Sequence, residues 1–432
     1  MNIKRTLLAT LISTAIAPAT VLATDGYFSH GYGMKAKGMA GVSTARTDDT
    51  FGGANNPAQG VFVGDRLDAG IDWFSPERSA ERSGASIPPL NGKVDSGREN
   101  FAIPELGYNK MISPVMSLGV SVYGNGGMNT AYPQGTFQCP TPTGSVAPGN
   151  ALCGVGKLGV DLTQLIIAPT FSYKIAQSHA IGIAPLFGYQ RFKMEGVQLF
   201  ANFSASPSNV SNNDYASSTG YGARVGYLGK LSNAVSIGAA YSTKMKMGKF
   251  DKYKGLFADD GGFDMPENYS IGIMVQATPE LSFGLDLKRI NYSGISSVGN
   301  PSTNIFQAPL GASNGPGFGW QNVNVTKLGV QYAVNGALTV RAGYGKSDNP
   351  IQARDVTFNI LAPGVVQDHY TLGFTYALDR NSEITMAYMH AAKQSVSGSS
   401  FFNAIIPVPN AGGTEKIQML ENSLGIAWGT KF

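Results

Sequence analysis

Residues 369–378 read HYTLGFTYAL, and large apolar side chains alternate along them with small or polar ones. Tyr370 and Leu372 share one face of this segment, while Thr371 and Gly373 share the other. A period of two residues indicates a β-strand with two unlike faces. A soluble β-sandwich and a transmembrane barrel both produce such an alternation, so the pattern alone does not distinguish them. The same pattern recurs at residues 235–242, 269–276, 281–288 and 338–345.

The connections between the strands distinguish the two folds. Fourteen strand candidates lie between residues 66 and 432, and every second connection is a tight turn. These turns lie at Ser113-Pro114, Gln177-Ser178, Ser232-Asn233, Pro279-Glu280, Asn335-Gly336 and Asp379-Arg380-Asn381. The other connections are long and rich in Gly, Ser, Asn and Pro. Outer-membrane barrels have short periplasmic turns and long extracellular loops. The sequence therefore predicts an all-β fold, a transmembrane antiparallel β-barrel of 14 strands over residues 66–432.

The composition excludes several other classes of protein. Only 14% of the 432 residues are charged, whereas soluble proteins average about 25%. No apolar run of about 20 residues follows the N-terminus, which excludes a helical membrane protein. Hydrophobic residues make up 43% of the chain, which argues against disorder. The formal net charge of +4 is too small for a surface that binds nucleic acid.

The N-terminal residues 1–23 are predicted to be a secretory signal peptide. Lys4 and Arg5 precede a mostly apolar segment, and Ala23 offers a small-residue cleavage site before Thr24. A transmembrane anchor is the alternative, but the apolar segment is short and lacks a basic flank on its C-terminal side. We therefore expect export and a mature chain that begins at Thr24.

Export to an oxidising compartment bears on the two cysteines, Cys139 and Cys153. We expect them to form a disulfide. A loop of this length is stabilised by about 3 kcal/mol in the chain-entropy description. A cysteine pair without a nearby histidine is a poor metal site, so we expect neither a metal nor a cofactor.

The last strand ends with Leu424, Ile426 and Trp428 alternating toward the terminal Phe432. This ending resembles the assembly signal of bacterial outer-membrane barrels. We therefore expect the Gram-negative outer membrane as location. The expected partners are the lipid and lipopolysaccharide of that membrane and the barrel-assembly machinery, which would bind the strand that ends at Phe432. A closed barrel has no free strand edge that could pair with a second copy, so we expect a monomer.

Residues 24–65 do not have the pattern of a barrel strand. The segment is rich in glycine and other small residues, and it also carries Phe28, Met34, Met39 and Phe51. A free periplasmic tail would be polar and charged instead. A barrel of fourteen strands is wide enough to leak unless something fills its lumen. We expect residues 24–65 to form a plug, or hatch, inside the barrel.

Several motifs carry a resemblance to a known family. Asp48-Asp49 and Asn56-Pro57-Ala58 lie between the Gly-rich segment and the first strand, and the block at residues 326–332 precedes a second one at 340–344. In these features the chain resembles the long-chain fatty acid transporter (FadL) family of outer-membrane channels. The resemblance implies passive uptake of hydrophobic compounds, either long-chain fatty acids or aromatic and aliphatic hydrocarbons. It also implies a hatch-gated path that leaves sideways into the bilayer.

The lateral exit of this family lies at an inward kink in the third strand. The resemblance assigns the kink to Gly124, Asn125 and Gly126, because glycine relaxes the limits on φ and weakens strand pairing. The alternative is an ordinary strand end that enters a Gly-rich loop.

The resemblance also implies a ligand site inside the lumen. It assigns Arg191 as a basic residue for a carboxylate head group, and Phe28, Met34 and Met39 as the lining of the pocket. A second basic position of the fatty-acid members falls on Gln321, which leaves room for neutral ligands. The alternatives are a charge at the lumen rim for Arg191 and hatch packing for the other three residues.

Three other functions compete with this interpretation. An enzyme is disfavoured because the sequence has neither G-x-S-x-G nor H-E-x-x-H, and its four histidines are scattered. A water-filled general porin would show rings of lumen charge, which a 14% charged chain does not suggest. A surface receptor or adhesin role of the loops stays open.

Overall fold

The computed structural model of the chain describes residues 25–140 and 145–432, so the predicted signal peptide lies outside the described residues. Fourteen strands form one barrel. Each pairs antiparallel with the next along the chain, and the last pairs with the first, which closes the sheet. The strands are β1 (Arg66–Ser83), β2 (Phe101–Ser113), β3 (Met116–Tyr132), β4 (Leu158–Ala176), β5 (His179–Glu195), β6 (Ala216–Lys230), β7 (Val235–Ser242), β8 (Asn268–Gln276), β9 (Leu281–Ile290), β10 (Val323–Ala333), β11 (Leu338–Ser347), β12 (Asp368–Ala377), β13 (Ser382–Ser399) and β14 (Thr414–Lys431).

The two ends of the barrel differ in the length of their connections. At one end, six short turns join the strands in pairs, and β1 begins beside the end of β14, where Arg66 is opposite Lys431. This end corresponds to the periplasmic side of outer-membrane barrels, and the end with long loops to the extracellular side. The predicted fold class and strand number are confirmed.

The long loops contain short elements rather than barrel strands. Short strands lie at Gly92–Asp95, Phe137–Pro140, Val146–Gly149 and Lys246–Met247. Short helical turns lie at Pro88–Leu90, Gln198–Phe203, Pro207–Asn209, Asp251–Tyr253, Ala258–Gly261, Tyr292–Gly294, Ser296–Gly299, Ser302–Phe306, Ala353–Asp355, Val356–Asn359 and Phe402–Ile405. Within the described ranges, none of the helices is long and apolar enough to cross a membrane. Cys139 and Cys153 form a disulfide in one of these loops, with their Cα atoms 5.5 Å apart.

The two faces of each strand have opposite chemistry. On β12, Leu372 is 62% exposed on the outer surface, while Thr371 is 3% exposed toward the lumen. The apolar face therefore points outward, as it does in a barrel that meets lipid, and the small or polar face points inward.

Residues 25–65 lie inside the lumen and are almost completely buried. They contain only short helical turns, at Met34–Lys37, Phe51–Gly53, Pro57–Gln59 and Gly60–Val63. Residues 25–65 are called the hatch from here on. The hatch bonds to strands on all sides of the barrel, from β1 and β2 to β9 and β13. It therefore fills the width of the lumen.

Candidate functional site

Acidic side chains of the barrel wall hold the lower part of the hatch, which is the part nearer the periplasmic end. The Asp286 carboxylate accepts hydrogen bonds from the backbone N–H groups of Ser43 and Thr44, at 2.8 and 2.9 Å. On β1, the Asp72 carboxylate lies 2.6 Å from Nζ of Lys37, and both side chains are buried. Hydrogen bonds to charged groups are among the stronger ones, so these contacts fix the hatch against the wall.

The motif Asn56-Pro57-Ala58 is an anchor of the hatch. The Asn56 side chain accepts from the Ala58 N–H, and its amide nitrogen donates to the carbonyl oxygens of Thr44 and Tyr227, each at 2.8 Å. Gly226 on β6 permits this contact, because a Cβ there would lie 2.0 Å from the Asn56 Oδ1. The motif therefore joins the hatch to the wall at β6.

The wall is interrupted between β2 and β3. Their pairing ends at Glu105 and Tyr123, so residues 101–104 of β2 have no partner on that side within the described chain. Residues 124–130 of β3 pair with β4 but not with β2, and Asn125 is a bulge in the pairing of β3 with β4. Nearer the extracellular end, the Gly97 N–H donates to the Ala131 carbonyl at 2.9 Å and closes the gap again. This gap is called the wall window below.

The first residues of the hatch cover the wall window from inside. Phe28 forms a β-bridge with Gly126. The Gly127 N–H donates to the Tyr27 carbonyl at 3.1 Å, and the Ser29 N–H donates to the Asn125 carbonyl at 3.2 Å. The kinked part of β3 therefore pairs with the hatch instead of with β2. A Cβ at Gly126 would lie 1.7 Å from the Tyr27 carbonyl oxygen, so this approach requires glycine.

Aromatic rings surround the same hatch residues on the extracellular side. The ring centroid of Tyr27 lies 5.0 Å from that of Tyr292, 5.7 Å from Trp320 and 6.2 Å from Phe263. Phe263 in turn lies 4.9 Å from Phe257 in the loop after β7. These distances are those of favourable ring pairs. Tyr27, Phe257, Phe263, Tyr292 and Trp320 form a continuous aromatic path from the loops to the hatch.

Two small cavities lie at the ends of the aromatic path. The outer one has about 40 Å³ and is apolar, with Leu152, Met194, Phe200, Phe257, Phe318 and Leu361 among its lining residues. The inner one has about 20 Å³ and lies beside the wall window, lined by Tyr27, Gly127, Met128, Trp320 and Leu361 among others. Each has room for only about one to three water molecules, so the path is closed in this structure.

A lumen cation lies next to the hatch N-terminus. Nζ of Lys288 on β9 is 5.2 Å from the centroid of the Phe28 ring. Within the described residues no carboxylate lies within ion-pair distance of Lys288. Its neighbour Lys327 instead lies 3.6 Å from the Asp25 carboxylate. Lys288 is therefore a lumen cation beside the hatch N-terminus that has no carboxylate partner among the described residues.

Tyr292 fastens the hatch N-terminus from the extracellular side. Its hydroxyl accepts from the Tyr27 N–H at 3.1 Å and donates to the Asp25 carbonyl. Burial raises the pKa of Tyr292 well above its ordinary value, with Tyr27 and Asp25 adding to the effect. The hydroxyl therefore stays protonated and keeps its role as a donor.

Arg191 does not point into the lumen, contrary to the prediction from the resemblance. Its neighbours Gln190 and Phe192 point inward, because Gln190 donates to the Phe263 carbonyl and the Phe192 ring lies 4.6 Å from Phe257. Side chains alternate along a strand, so Arg191 lies on the outer face of β5. There its guanidinium lies 4.0 Å from the ring centroid of Tyr215.

Met34 and Met39 pack the hatch against wall glycines. A Cβ at Gly425 of β14 would meet the Met34 sulfur at 2.2 Å, and one at Gly329 of β10 would meet Met39 at 2.7 Å. Both methionines thus occupy space that wall glycines leave open. Of the three predicted lining residues, Phe28 alone contacts the aromatic path, at 6.0 Å from Tyr292.

The remaining predicted positions lie at the two ends of the barrel. Gln321 is exposed at the extracellular end, where its backbone N–H donates to the Pro350 carbonyl. Phe432 lies at the periplasmic end, stacked on Tyr108 at 5.8 Å between ring centroids. Sequence reasoning missed Lys288, although its place on the inward face of β9 follows from the alternation.

Comparisons with known proteins agree with this architecture. Among solved structures, the chain superposes on the toluene transporter TodX of Pseudomonas putida with a TM-score of 0.67 at 17% identity, covering 93% of this chain and 99% of that one. The toluene transporter TbuX of Ralstonia pickettii superposes with a TM-score of 0.64 at 16% identity, covering 93% of this chain and 99% of that one. A FadL homologue of Pseudomonas aeruginosa superposes with a TM-score of 0.66 at 14% identity, covering 96% of this chain and 100% of that one. None of the curated protein sequences is similar enough to count as a match.

A family comparison identifies the chain as a whole. The family model "Outer membrane protein transport protein (OMPP1/FadL/TodX)" matches residues 13–404, which is most of the chain. A closed barrel with an apolar outer surface agrees with a location in the Gram-negative outer membrane. The chain belongs to the OMPP1/FadL/TodX family of outer-membrane transport proteins.

Proposed function

We propose that the protein is a passive channel that takes up hydrophobic compounds and releases them sideways through the wall window. A ligand enters the outer cavity, moves along the aromatic path and displaces residues 25–29 of the hatch. It then leaves between β2 and β3 into the bilayer. The protein has no role as an enzyme in this proposal, and it works as a monomer.

One observation carries the proposal: the same hatch residues contact both the aromatic path and the wall window. Tyr27 packs on Tyr292 and Trp320, while its carbonyl binds the Gly127 N–H at the kink. A ligand that inserts among the rings therefore cannot move Tyr27 without disturbing the cover of the window. Binding would shift the population from a closed to an open state.

The ligand class follows from the lining of the path. Rings and aliphatic side chains provide transfer free energy of about 0.8 kcal/mol for each buried CH₂ group. The solved relatives TodX and TbuX are toluene transporters, which favours aromatic hydrocarbons. Lys288 near Phe28 offers a partner for a fatty-acid carboxylate, so both ligand classes enter the test.

The test joins the two sides of the wall window. A Cβ at residue 124 lies 3.1 Å from the Ile103 side chain, which suits the variant Ile103→Cys with Gly124→Cys. In cells that lack the native gene, we expect the oxidised variant to lose uptake of labelled toluene and oleate, and reduction to restore it. A water-filled porin would instead transport a labelled small sugar whether the window is locked or free.

Two controls separate the window from general effects of cysteines. The parent chain carries the native pair Cys139–Cys153 and receives the same oxidant and reductant. A second variant, Ala342→Cys with Leu372→Cys, links two residues that are already opposite each other on β11 and β12. Uptake that persists in the locked window variant would show that the ligand leaves elsewhere, and the proposal would then be wrong.

A further inference from the structure

The outer surface of β4, β5 and β6 carries a polar cluster at its extracellular end. The Tyr215 hydroxyl donates to the Asp161 carboxylate at 2.7 Å, and Arg98 contacts the same carboxylate at 3.0 Å. Arg191 lies over the Tyr215 ring at 4.0 Å, and Lys193 lies 5.5 Å from the same ring. This surface is called the outer cationic cluster.

Arg191 is the member of the cluster without an anionic partner. Lys193 lies 2.9 Å from the Glu195 carboxylate, and Arg98 is paired with Asp161. Within the described residues, no ion pair or hydrogen bond of Arg191 is present, and its Nε is buried without a partner. An arginine on an aromatic ring presents its remaining N–H groups in a fixed plane, which suits an oxyanion such as phosphate.

A mostly apolar groove lies next to this cluster, toward the periplasmic end of the same three strands. It has a volume of about 740 Å³, and its lining includes Ile167, Phe187, Tyr189 and Tyr221 of the outer face together with Lys246 and Met247 of the short strand that pairs with β6. Phe187 and Tyr221 are 54% and 66% exposed, so the groove opens to the surroundings of the barrel. Arg191 is two residues beyond Tyr189, and the cation is therefore roughly 6–7 Å above the groove along the strand.

We propose that this surface binds a phosphorylated glycolipid of the outer leaflet, with a phosphate on Arg191 and an acyl chain in the groove. Arg191 lies toward the extracellular end and the apolar groove toward the membrane interior. A lipid of the outer leaflet has its phosphate and its acyl chains in the same order. Arg191 and Lys193 supply charge-assisted contacts to phosphate. A soluble anion would account for the cations but not for the groove.

The experiment measures binding of bisphosphorylated lipid A to the purified full barrel in detergent by native mass spectrometry. We expect one saturable site in the wild type. In Arg191→Gln, we expect binding to weaken about tenfold or more, because a hydrogen bond to a charged group contributes about 1.5–3 kcal/mol. Arg289→Gln is the matched control, since Arg289 also lies at the extracellular end of its strand and binds only Asn291 and Asn324 among the described residues.

Two further measurements separate the role of the lipid phosphate from that of the lipid acyl chain. Monophosphorylated lipid A should bind the wild type more weakly than the bisphosphorylated form, and Arg191→Gln should bind the two equally. Phe187→Ser should weaken both forms without removing the preference. Equal affinity of Arg191→Gln and Arg289→Gln for lipid A would overturn the proposal, and so would equal binding of phosphatidylglycerol by the wild type.

Discussion

The periplasmic (lower) half and the extracellular (upper) half of the lumen hold the hatch by different kinds of contact. In the lower half, buried carboxylates such as Asp72 and Asp286 bind hatch lysine and backbone N–H groups. In the upper half, Tyr27 packs on the rings of Tyr292 and Trp320, and neutral hydrogen bonds join its backbone to Tyr292 and Gly127. Ion pairs and charged hydrogen bonds are directional, whereas ring packing tolerates rearrangement. The difference suggests a fixed barrier below and a movable cover above.

The largest expected effect comes from removing a carboxylate of the lower half. In Asp72→Ala, Lys37 is left buried without the partner at 2.6 Å. Loss of one member of a buried pair costs about 3–5 kcal/mol, so we expect the free energy of unfolding to fall by about that amount. Urea unfolding in detergent micelles, followed by tryptophan fluorescence, measures it.

The control for this variant removes both charges. Asp72→Ala with Lys37→Met leaves no buried unpaired charge, and we expect it to recover most of the lost stability. A stability of Asp72→Ala close to that of the wild type would mean that the lower half is not held by its ion pairs.

A smaller effect is expected at the boundary between the two halves. Lys288 lies 5.2 Å from the Phe28 ring and has no carboxylate within ion-pair distance among the described residues. Lys288→Met should reduce uptake of oleate about tenfold or more, because a charged hydrogen bond contributes about 1.5–3 kcal/mol. Toluene uptake should change little, since toluene carries no charge. Equal loss of both ligands would show that Lys288 supports the structure rather than a head group.

The smallest effect is expected at the upper fastening. Tyr292→Phe removes the hydroxyl that accepts from the Tyr27 N–H and donates to Asp25. Each neutral hydrogen bond contributes about 1 kcal/mol, so we expect faster deuterium exchange at the backbone of residues 25–29 and modestly faster uptake. Tyr253→Phe is the control, since Tyr253 bonds the Asp214 carbonyl in a loop. Unchanged exchange in Tyr292→Phe would contradict a movable upper cover.

The alternation of side chains predicted the barrel. It also predicts the face of its strand on which Arg191 lies, and this differs from the assignment made by the resemblance. Ile181, Ile183, Phe187 and Tyr189 are all exposed on the outer face of β5. Arg191 has the same parity, so the period of two places it outside, although the resemblance placed it inside. On β9 the same rule places Lys288 on the inward face with Asp286.

The aromatic path was beyond the reach of sequence reasoning. Tyr292 and Trp320 lie in a long loop without periodicity, and their contacts with Tyr27 connect residues that are hundreds of positions apart. The kink at Gly124, Asn125 and Gly126 was predicted from the resemblance, and the structure has a bulge there. Which segment pairs with the kink follows only from the three-dimensional arrangement.

The break between β2 and β3 has a consequence for the permeability barrier of the cell. Displacing residues 25–29 leaves the backbone groups of residues 125–127 without their partners. An unsatisfied buried group costs about 1–3 kcal/mol, so without a guest the opened form is rare. Pro104 borders the break on β2 and has no N–H to lose. Antibiotics and detergents that do not insert among the rings would then find the window closed. A large number of these channels would therefore not raise the permeability of the outer membrane to such compounds.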